Sequence, residues 1–268
     1  MKIEGEIAVI TGGASGIGRA SALALARRGA DIVVADVHEQ RLAEVAQEVR
    51  SLGRRVLTVR CDVSVDRDVE MLARRSETEM GAPGIVMNNA GVVLRGALEE
   101  IGLGDWQWVM GINFFGVVRG IRAFLPGLVE RRHGYMVNTG SVSGLVTLTG
   151  EGAPYIASKY AVVGLTEALA LYARPLGIGV SLLCPGGVRT NLAETGRSIG
   201  MTAERQRNET RLAQSVQGGR ELEPEEVGEM VAEAILADRF LILPEDYQAL
   251  VREHAQDIDA FVEARLRS

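Results

Sequence analysis

The segment IAVITGGASGIG, residues 7–18, joins a short apolar run to a glycine-rich turn. Ile7–Thr11 is apolar and β-branched almost throughout, which is typical of a parallel strand covered on both faces. Residues 17–28 then have helical spacing, with small alanines suited to close packing on a sheet. Glycines let a backbone approach a phosphate, and a helix N-terminus offers N–H groups and partial positive charge. The segment therefore predicts the first strand–turn–helix unit of an α/β sheet, with a turn that binds a dinucleotide.

Further short apolar runs alternate along the chain with segments of helical spacing. The predicted strands are residues 7–11, 32–36, 56–61, 85–89, 135–139, 180–184 and 240–243. The predicted helices are residues 17–28, 38–52, 65–80, 106–132, 154–174 and 224–237, with a charged helix after Pro244. This alternation predicts an α/β fold, a doubly wound Rossmann-type three-layer sandwich with a seven-stranded parallel sheet.

The chain shows no linker rich in Pro, Gly or Ser, so we expect one Rossmann-fold domain over residues 1–268. Residues 191–223 break the alternation, because they are polar and only weakly amphipathic. A segment this long is more typical of a lid over a ligand than of an ordinary loop. We therefore predict a substrate lid there. Its arginines include Arg197, Arg205, Arg207 and Arg211.

Composition excludes several classes of protein. The 268 residues are 47% apolar and carry a net charge of −6 without a basic block, which argues against nucleic acid as a partner. No apolar run approaches the roughly 18 residues of a membrane span, and the N-terminus lacks a signal-peptide pattern. The two cysteines suit a reducing compartment, so we expect a cytoplasmic protein. The three histidines are scattered, which predicts no metal site.

Asp36 ends the second predicted strand, 18 residues after Gly18. A carboxylate at this point would accept a hydrogen bond from the adenosine ribose 2′-hydroxyl and repel a 2′-phosphate. No Arg or Lys stands at Ala14, Ser15 or Val37 to attract that phosphate. The sequence therefore favours NAD as the cofactor over NADP. An alternative role for Asp36, compatible with the first, is the N-cap of the following helix.

Several motifs occur in a fixed order along the first 190 residues. They are the turn at 11–18, Cys61-Asp62-Val63, Asn88-Asn89-Ala90-Gly91, Asn113, Ser141, Tyr155-x-x-x-Lys159 and Pro185-Gly186-Gly187-Val188-Arg189-Thr190. Each alone is weak, since a YxxxK sequence arises by chance in many proteins. Together, in this order and spacing, they resemble the short-chain dehydrogenase/reductase family. The resemblance implies hydride transfer between an alcohol and a nicotinamide cofactor.

The resemblance implies that Tyr155 is the acid/base. A free tyrosine has a pKa near 10, and the ammonium of Lys159, four residues on, would favour the phenolate and lower that pKa. It also implies that Lys159 binds the nicotinamide ribose, that Ser141 orients the substrate oxygen, and that Asn113 holds a water in a proton relay to Lys159. Taken without the other motifs, a Tyr and a Lys at this spacing would more often be a plain surface pair.

The sequence departs from the family pattern in two places. The usual Ser-Ser pair at the end of the fifth strand is Gly140-Ser141 here. Ser141 stands 14 residues before Tyr155 and Ser143 stands 12 before it, so Ser143 is the alternative to Ser141. Gly84 occupies the position before the fourth strand where relatives often carry Asp, which does not touch the chemistry.

The resemblance also implies a set of cofactor contacts. Asp62 and Val63 would contact adenine, and Pro185 to Thr190 would wrap the nicotinamide. The full set of implied cofactor-binding residues is Gly12, Ser15, Gly16, Ile17, Gly18, Asp36, Asp62, Val63, Asn89, Ala90, Gly91, Tyr155, Lys159, Pro185, Gly186, Val188 and Thr190.

The substrate pocket is predicted at residues 93–95, 143–151 and 187 and under the lid. Five apolar residues, Leu94, Leu145, Val146, Leu148 and Leu192, indicate a hydrophobic secondary alcohol or its ketone. The C-terminal part, from 222–224 to 240–244, weakly resembles a branch that includes NAD-dependent dehydrogenases of benzylic alcohols from lignin-derived compounds. Two alternatives stay open, an anionic substrate held by the lid arginines and an NADPH-dependent carbonyl or 3-oxoacyl reductase. By resemblance, the helices at 106–132 and 154–174 would pair across a two-fold axis into a homodimer or homotetramer.

Overall fold

A computed structural model describes residues 1–193, 196–200 and 220–266 of the protein. Its strands are β1 (Ile7–Thr11), β2 (Asp31–Asp36), β3 (Val56–Arg60), β4 (Ile85–Asn88), β5 (Leu94–Gly96), β6 (Gly134–Thr139), β7 (Ile178–Leu183), β8 (Arg197–Ile199) and β9 (Leu241–Ile242). Its α-helices are α1 (Gly16–Arg27), α2 (Glu39–Ser51), α3 (Asp66–Arg75), α4 (Leu103–Asn113), α5 (Phe115–Arg131), α6 (Ala153–Ala173), α7 (Pro224–Ala237), α8 (Gln248–Gln256) and α9 (Ile258–Leu266).

Seven of these strands form one sheet in the order β3-β2-β1-β4-β6-β7-β9. All its pairings are parallel, with Val9 of β1 opposite Val33 of β2 and Val86 of β4. The chain moves outward from β1 to β3 and then returns to place β4 on the other side of β1. This reversal leaves a crevice at the carboxyl ends of the strands, where open α/β sheets bind ligands. The predicted doubly wound, seven-stranded sheet is confirmed.

Apolar side chains alternate between the two faces of the sheet. Ala8 and Ile10 of β1 join a core with α1, α2 and α7, whereas Val9 joins a second core with α3, α5 and α6. Gly228 of α7 lies so close to Ala20 of α1 that a Cβ on it would stand 2.7 Å from the Ala20 backbone. The result is three layers, with helices on both faces of the sheet.

The predicted helix at 106–132 is wrong in its continuity, because the structure has two helices, α4 and α5, interrupted at Phe114. The side chain of Asn113 causes α4 to end there, since it is drawn into hydrogen bonds with Val92 and Ser158. The predicted helix at 65–80 also changes form. After Arg75 it continues as one π-helical turn, Ser76–Met80, where the Ser76 hydroxyl bonds the Leu72 carbonyl at 2.7 Å.

The C-terminal tail and the lid region differ from the simple elements expected. The tail forms two short helices, α8 and α9, in place of one, and β9 is two residues long in place of four. Strands β5 and β8 form an additional two-stranded parallel sheet, with Leu94 opposite Arg197. The remainder of the predicted lid, at 194–195 and 201–219, lies outside the described residues, and so do Arg205, Arg207 and Arg211.

Within the described part of the chain, one helical stretch, Leu103–Arg131, has the length and mean hydropathy, 1.3, of a membrane span. It is interrupted at Phe114, and Phe124 and Leu128 pack it onto the sheet. It is therefore a core helix and gives no clear membrane signal.

Candidate active site

The glycine turn between β1 and α1 is shaped by its own backbone. Gly12 has φ +63° and Gly16 has φ +50°, conformations that other residues rarely adopt. A Cβ on Gly12 would stand 2.8 Å from the Ala90 Cα, and a Cβ on Gly18 would overlap the Gly12 carbonyl oxygen. Ser15 is the N-cap of α1 but makes no capping bond with its side chain. The turn therefore offers the helix N-terminus to a ligand.

Asn89 fastens this turn to the centre of the sheet. Its Nδ2 donates to the carbonyls of Thr11 at 3.1 Å and Gly12 at 3.2 Å, and its Oδ1 accepts from the Thr139 hydroxyl at 3.3 Å. Asn89, one of the residues that the resemblance implies in cofactor binding, thus also shapes the glycine turn.

A cleft of about 410 Å³ runs along the carboxyl ends of the strands. It brings together most of the predicted site residues, namely Gly12, Ser15, Gly16, Ile17, Asp36, Asp62, Val63, Asn89, Ala90, Gly91, Tyr155, Lys159, Pro185 and Thr190. Five predicted residues, Gly18, Asn113, Ser141, Gly186 and Val188, do not line it. Gly18 packs inside the turn, and Val188 pairs with Leu222.

Asp36 stands at the adenosine end of the cleft, at the carboxyl end of β2. Its Oδ2 accepts from the Ala14 N–H at 3.2 Å and its Oδ1 from the His38 N–H at 3.1 Å. These bonds aim the carboxylate at the glycine turn. The alternative role as N-cap of α2 is wrong, since His38 occupies that position.

Tyr155 and Lys159 lie one turn apart on α6. The Lys159 Nζ is 5.7 Å from the centre of the Tyr155 ring and donates to the Thr139 carbonyl at 2.9 Å. Lys159 is buried, and burial lowers its pKa to about 8. Burial raises the pKa of Tyr155, against smaller opposite effects of the Ser141 hydroxyl and the Arg95 charge. In the protein alone, the Tyr155 pKa is therefore shifted by burial in the direction opposite to the lowering expected from the lysine.

The Ser141 hydroxyl forms a hydrogen bond with the Tyr155 side chain. Ser141 is buried at the end of β6 and its hydroxyl influences the Tyr155 pKa directly. Its Oγ also accepts from the Ser143 N–H at 3.1 Å, which caps the short 3-10 turn Val142–Gly144. The Ser143 backbone N–H thus helps to hold the Ser141 side chain in its orientation.

Asn113 is fully engaged by protein groups beneath the cleft. Its Oδ1 accepts from the Val92 N–H at 2.8 Å, and its Nδ2 donates to the Val92 carbonyl at 2.9 Å and the Ser158 hydroxyl at 3.0 Å. A Cβ built on Gly91 would stand 3.4 Å from the Asn113 Oδ1 and 3.7 Å from the Lys159 Nζ. A small polar gap therefore separates Asn113 from Lys159, at the place where the predicted relay requires a water.

The loop after β7, residues 185–190, closes the other end of the cleft. The Pro185 carbonyl accepts from the Val142 N–H at 3.1 Å, next to Ser141. Gly187 donates its N–H to the Tyr247 hydroxyl at 3.1 Å and accepts from the Leu222 N–H at 2.9 Å. Sequence reasoning missed Tyr247 and Leu222, because neither belongs to a motif.

The predicted apolar pocket needs correction. Leu94 packs in a core with Ile101 and Val109, whereas Val146 and Leu148 pack with Tyr247 and Phe261. The described residues that line the cleft without having been predicted are Val37, His38, Cys61, Val92, Trp108, Ile112, Thr139 and Gly140, whereas Asn191 belongs to the predicted lid. Leu192 lines it as expected. Trp108 and Ile112 stand four apart on α4, so helical spacing was the signal that could have revealed them.

One arginine of the predicted lid, Arg197, is held by other protein groups, which weakens the anionic-substrate alternative. Arg197 pairs with Asp105 at 3.1 Å and stacks over Trp108, with the guanidinium carbon 3.9 Å from the ring centre. Burial raises the pKa of Cys61, another cleft residue, to about 12, so its thiol is neutral. Among the residues that the structure describes, no cluster of metal-binding side chains is found.

The donors present fit a nicotinamide dinucleotide. A glycine turn at a helix N-terminus suits a pyrophosphate, the Asp36 carboxylate suits a ribose hydroxyl, and the Lys159 ammonium, beside Tyr155, suits a second ribose.

Comparison with known proteins agrees with this geometry. A family model described as short chain dehydrogenase matches residues 6–198. The 3beta-hydroxysteroid dehydrogenase 2 of Eggerthella lenta is 36% identical over 219 residues, which cover 81% of this chain and 80% of the relative. A short chain dehydrogenase/reductase from Burkholderia phymatum, solved in complex with NAD, superposes with a TM-score of 0.87 at 37% identity, over 97% of this chain and 96% of that one. The LigO apo form from Sphingobium sp. strain SYK-6 gives a TM-score of 0.81 at 30% identity, over 98% and 91% of the two chains. The chain therefore belongs to the short-chain dehydrogenase/reductase family and is an oxidoreductase.

Proposed function

We propose that the protein is an NAD-dependent enzyme that interconverts a hydrophobic secondary alcohol and its ketone, with Tyr155 as the acid/base. The observation that carries this proposal is the meeting of Tyr155 and the buried Lys159 in the same cleft as the glycine turn and Asp36. The predicted domain over residues 1–268 would then hold the whole site.

When bound, the nicotinamide supplies the carbon that accepts or gives the hydride. In the oxidative direction, Tyr155 accepts the proton of the substrate hydroxyl, which Ser141 orients. Tyr155 makes this transfer as its phenolate, which the Lys159 ammonium stabilises, and the transfer leaves Tyr155 as the neutral phenol. The proton then leaves through the polar gap between Lys159 and Asn113.

The choice of NAD rests on the adenosine end of the cleft. The Asp36 carboxylate lies where it would bond a ribose 2′-hydroxyl and repel a 2′-phosphate. The Burkholderia phymatum structure, which is an NAD complex, supports this choice. His38 also lines the cleft, and its imidazole is a group there that could form a hydrogen bond with a 2′-phosphate, so NADP is the cofactor to test against.

An apolar substrate suits the side chains around the cleft. Val92, Trp108, Ile112 and Leu192 line it, in place of most of the residues expected from the sequence. The Eggerthella lenta relative is a hydroxysteroid dehydrogenase, which supports a bulky secondary alcohol.

The proposed homodimer or homotetramer would form through α5 and α6. Phe115 is 48% exposed, and Leu171 and Tyr172 on α6 are 83% and 62% exposed. Exposed apolar side chains at this density on two long helices support a contact with a second copy.

The test is turnover of a panel of bulky secondary alcohols, each with NAD and with NADP, alongside NADH and NADPH binding followed by fluorescence. We expect turnover with NAD, and Tyr155→Phe should lower kcat by about 10²–10⁴-fold while NADH binding is kept. Turnover with NADP alone would contradict the cofactor proposal. NADH binding without turnover of any apolar alcohol would contradict the substrate class, and near-normal rates in Tyr155→Phe would contradict the role of Tyr155.

A further inference from the structure

The loop at 185–190 has one side in the cleft and one side against the C-terminal tail. Pro185 and Thr190 line the cleft. Gly186 faces the other way, and a Cβ on it would overlap the ring of Tyr247. The Tyr247 ring therefore fills the space that a side chain at 186 would occupy, and only glycine lets the two meet.

Tyr247 also makes a specific hydrogen bond to this loop. Its hydroxyl accepts from the Gly187 N–H at 3.1 Å, while the Gly187 carbonyl accepts from the Leu222 N–H at 2.9 Å. Both backbone groups of Gly187 are thus held by residues from the C-terminal part of the chain. Tyr247 itself is only 2% exposed, so its hydroxyl has a fixed direction.

The same ring reaches the substrate side of the cleft. Tyr247 packs in a cluster with Val142, Val146 and Leu148, on the segment that follows Ser141. The Val142 N–H in turn donates to the Pro185 carbonyl at 3.1 Å. One side chain therefore contacts both the cofactor-side loop and the segment that carries Ser141.

We propose that Tyr247 is a positioning residue of the reaction, which fixes Pro185 to Thr190 relative to Ser141 and Tyr155. Its hydroxyl sets the loop backbone at Gly187, and its ring sets the distance between the loop and the Ser141 segment. Tyr247 touches neither cofactor nor substrate and acts through the loop. This role rests on the proposed nicotinamide chemistry, and it lies outside the stretch at 6–198 that the family model matches.

Tyr247→Phe is the central test, because it removes the hydroxyl and keeps the ring. We expect NADH affinity, measured by fluorescence, to fall about tenfold, since the Gly187 N–H loses its partner. We expect kcat to fall as well, because the loop holds the nicotinamide less firmly. Amide hydrogen exchange in the peptide spanning 185–190 should become faster, whereas the melting temperature should move by no more than about 3 °C.

Phe261→Leu is the matched control, because Phe261 belongs to the same buried cluster and its side chain has no group that can form a hydrogen bond with the loop backbone. It should lower the melting temperature and leave NADH affinity unchanged. Gly186→Ala should displace the Tyr247 ring and weaken NADH binding as Tyr247→Phe does. The double variant should then be no weaker than Gly186→Ala alone, since both changes break the same contact.

Unchanged NADH affinity and unchanged exchange in Tyr247→Phe would overturn the proposal. An equal loss of NADH affinity in Phe261→Leu would overturn the proposal too, because any loss of packing in the cluster would then have the same effect as loss of the Tyr247 hydroxyl. Failure of the proposed function is distinguishable, since the unmodified protein would then bind no NADH while the exchange of 185–190 still depended on the Tyr247 hydroxyl.

Discussion

Two glycine-containing turns border the cleft, and they are held in place by different means. The turn at 12–18 is determined largely by its own backbone, through positive φ at Gly12 and Gly16 and the packing of Gly18 on the Gly12 carbonyl. The loop at 185–190 depends on Tyr247 and Leu222, which lie far along the chain. The same edge of the sheet thus combines a turn that its own glycines shape and the motif residue Asn89 fastens with a loop that residues outside the motifs hold.

This difference determines which of the residues that hold a turn can be recognised from a sequence motif. A turn shaped by its own glycines leaves a local signature, because Gly12 and Gly16 have positive φ and Gly18 packs on the Gly12 carbonyl oxygen. A turn stabilised from a distance leaves a glycine such as Gly186 whose reason lies elsewhere in the sequence. The variants and conditions that follow test this contrast.

The largest effect is expected from Gly18→Ala, which places a methyl group inside the glycine turn at 12–18. The new Cβ would overlap the Gly12 carbonyl oxygen, a backbone atom that has no room to move. We expect the free energy of unfolding to fall by about 1–3 kcal/mol and NADH affinity to fall more than about 100-fold. Urea unfolding and NADH fluorescence would measure the two effects.

Gly104→Ala on α4 is its control, because a Cβ there meets nothing within 4 Å. It should change the stability by less than about 1 kcal/mol and leave NADH binding intact. Normal NADH binding by Gly18→Ala would show that the packing of Gly18 on the Gly12 carbonyl does not determine the geometry of the turn.

The pH dependence of kcat/KM tests the roles of Tyr155 and Lys159, which line the cleft that the two turns border. Burial raises the pKa of Tyr155, so at neutral pH the phenol carries its proton, which suits ketone reduction. Alcohol oxidation needs the phenolate, so its kcat/KM should rise up to about tenfold per pH unit above neutrality. The rise should level off above about pH 8, where Lys159, whose pKa is lowered to about 8, loses its charge. Profiles of kcat/KM for both directions would show this, and a flat oxidative profile would contradict it.

Asp36→Ala tests a side chain that contacts the first turn through the Ala14 N–H, although it lies 22 residues further along the chain. Removing the carboxylate should lower kcat/KM with NAD by about tenfold or more and raise the relative rate with NADP. The ratio of kcat/KM for the two cofactors is the measurement. Asp36→Asn keeps the shape without the charge and should shift that ratio less. An unchanged preference for NAD in Asp36→Ala would refute the assignment to the ribose.

The smallest effect is expected from Gly91→Ala, which leaves both turns intact. The Cβ fits sterically, at 3.4 Å from the Asn113 Oδ1, but fills the gap between Asn113 and Lys159. We expect kcat to fall several-fold, with NADH affinity within about twofold of the unmodified protein. Solvent deuterium isotope effects on kcat should increase if the proton leaves by this route. Unaltered kcat and isotope effect would place the route elsewhere.

The fold could be read from the sequence because its causes are short-range. Continuous apolar runs placed all seven strands of the sheet, with ends that differ by one or two residues. The break at Phe114 could not be read, because it depends on bonds from Asn113 to Val92 and Ser158, 21 and 45 residues away.

The candidate site divides in the same way. Most residues of the motifs line one cleft, as the order of motifs predicted, and the sequence already favoured Ser141 over its alternative Ser143. The apolar pocket was misassigned because Leu94, Val146 and Leu148 are equally apolar whether they face a ligand or a core. Tyr247 was missed because a lone tyrosine in a charged tail has no periodicity to set it apart.

The bond between Gly187 and Tyr247 also bears on the order in which the site matures during synthesis. The first turn meets its main partners, Asn89 and Ala90, once the first third of the chain has left the ribosome. The loop at 185–190 must wait about sixty residues for Tyr247, which at cellular elongation rates of 5–20 residues per second means about 3–12 seconds. A nascent chain would therefore present a formed phosphate turn before its nicotinamide side is complete.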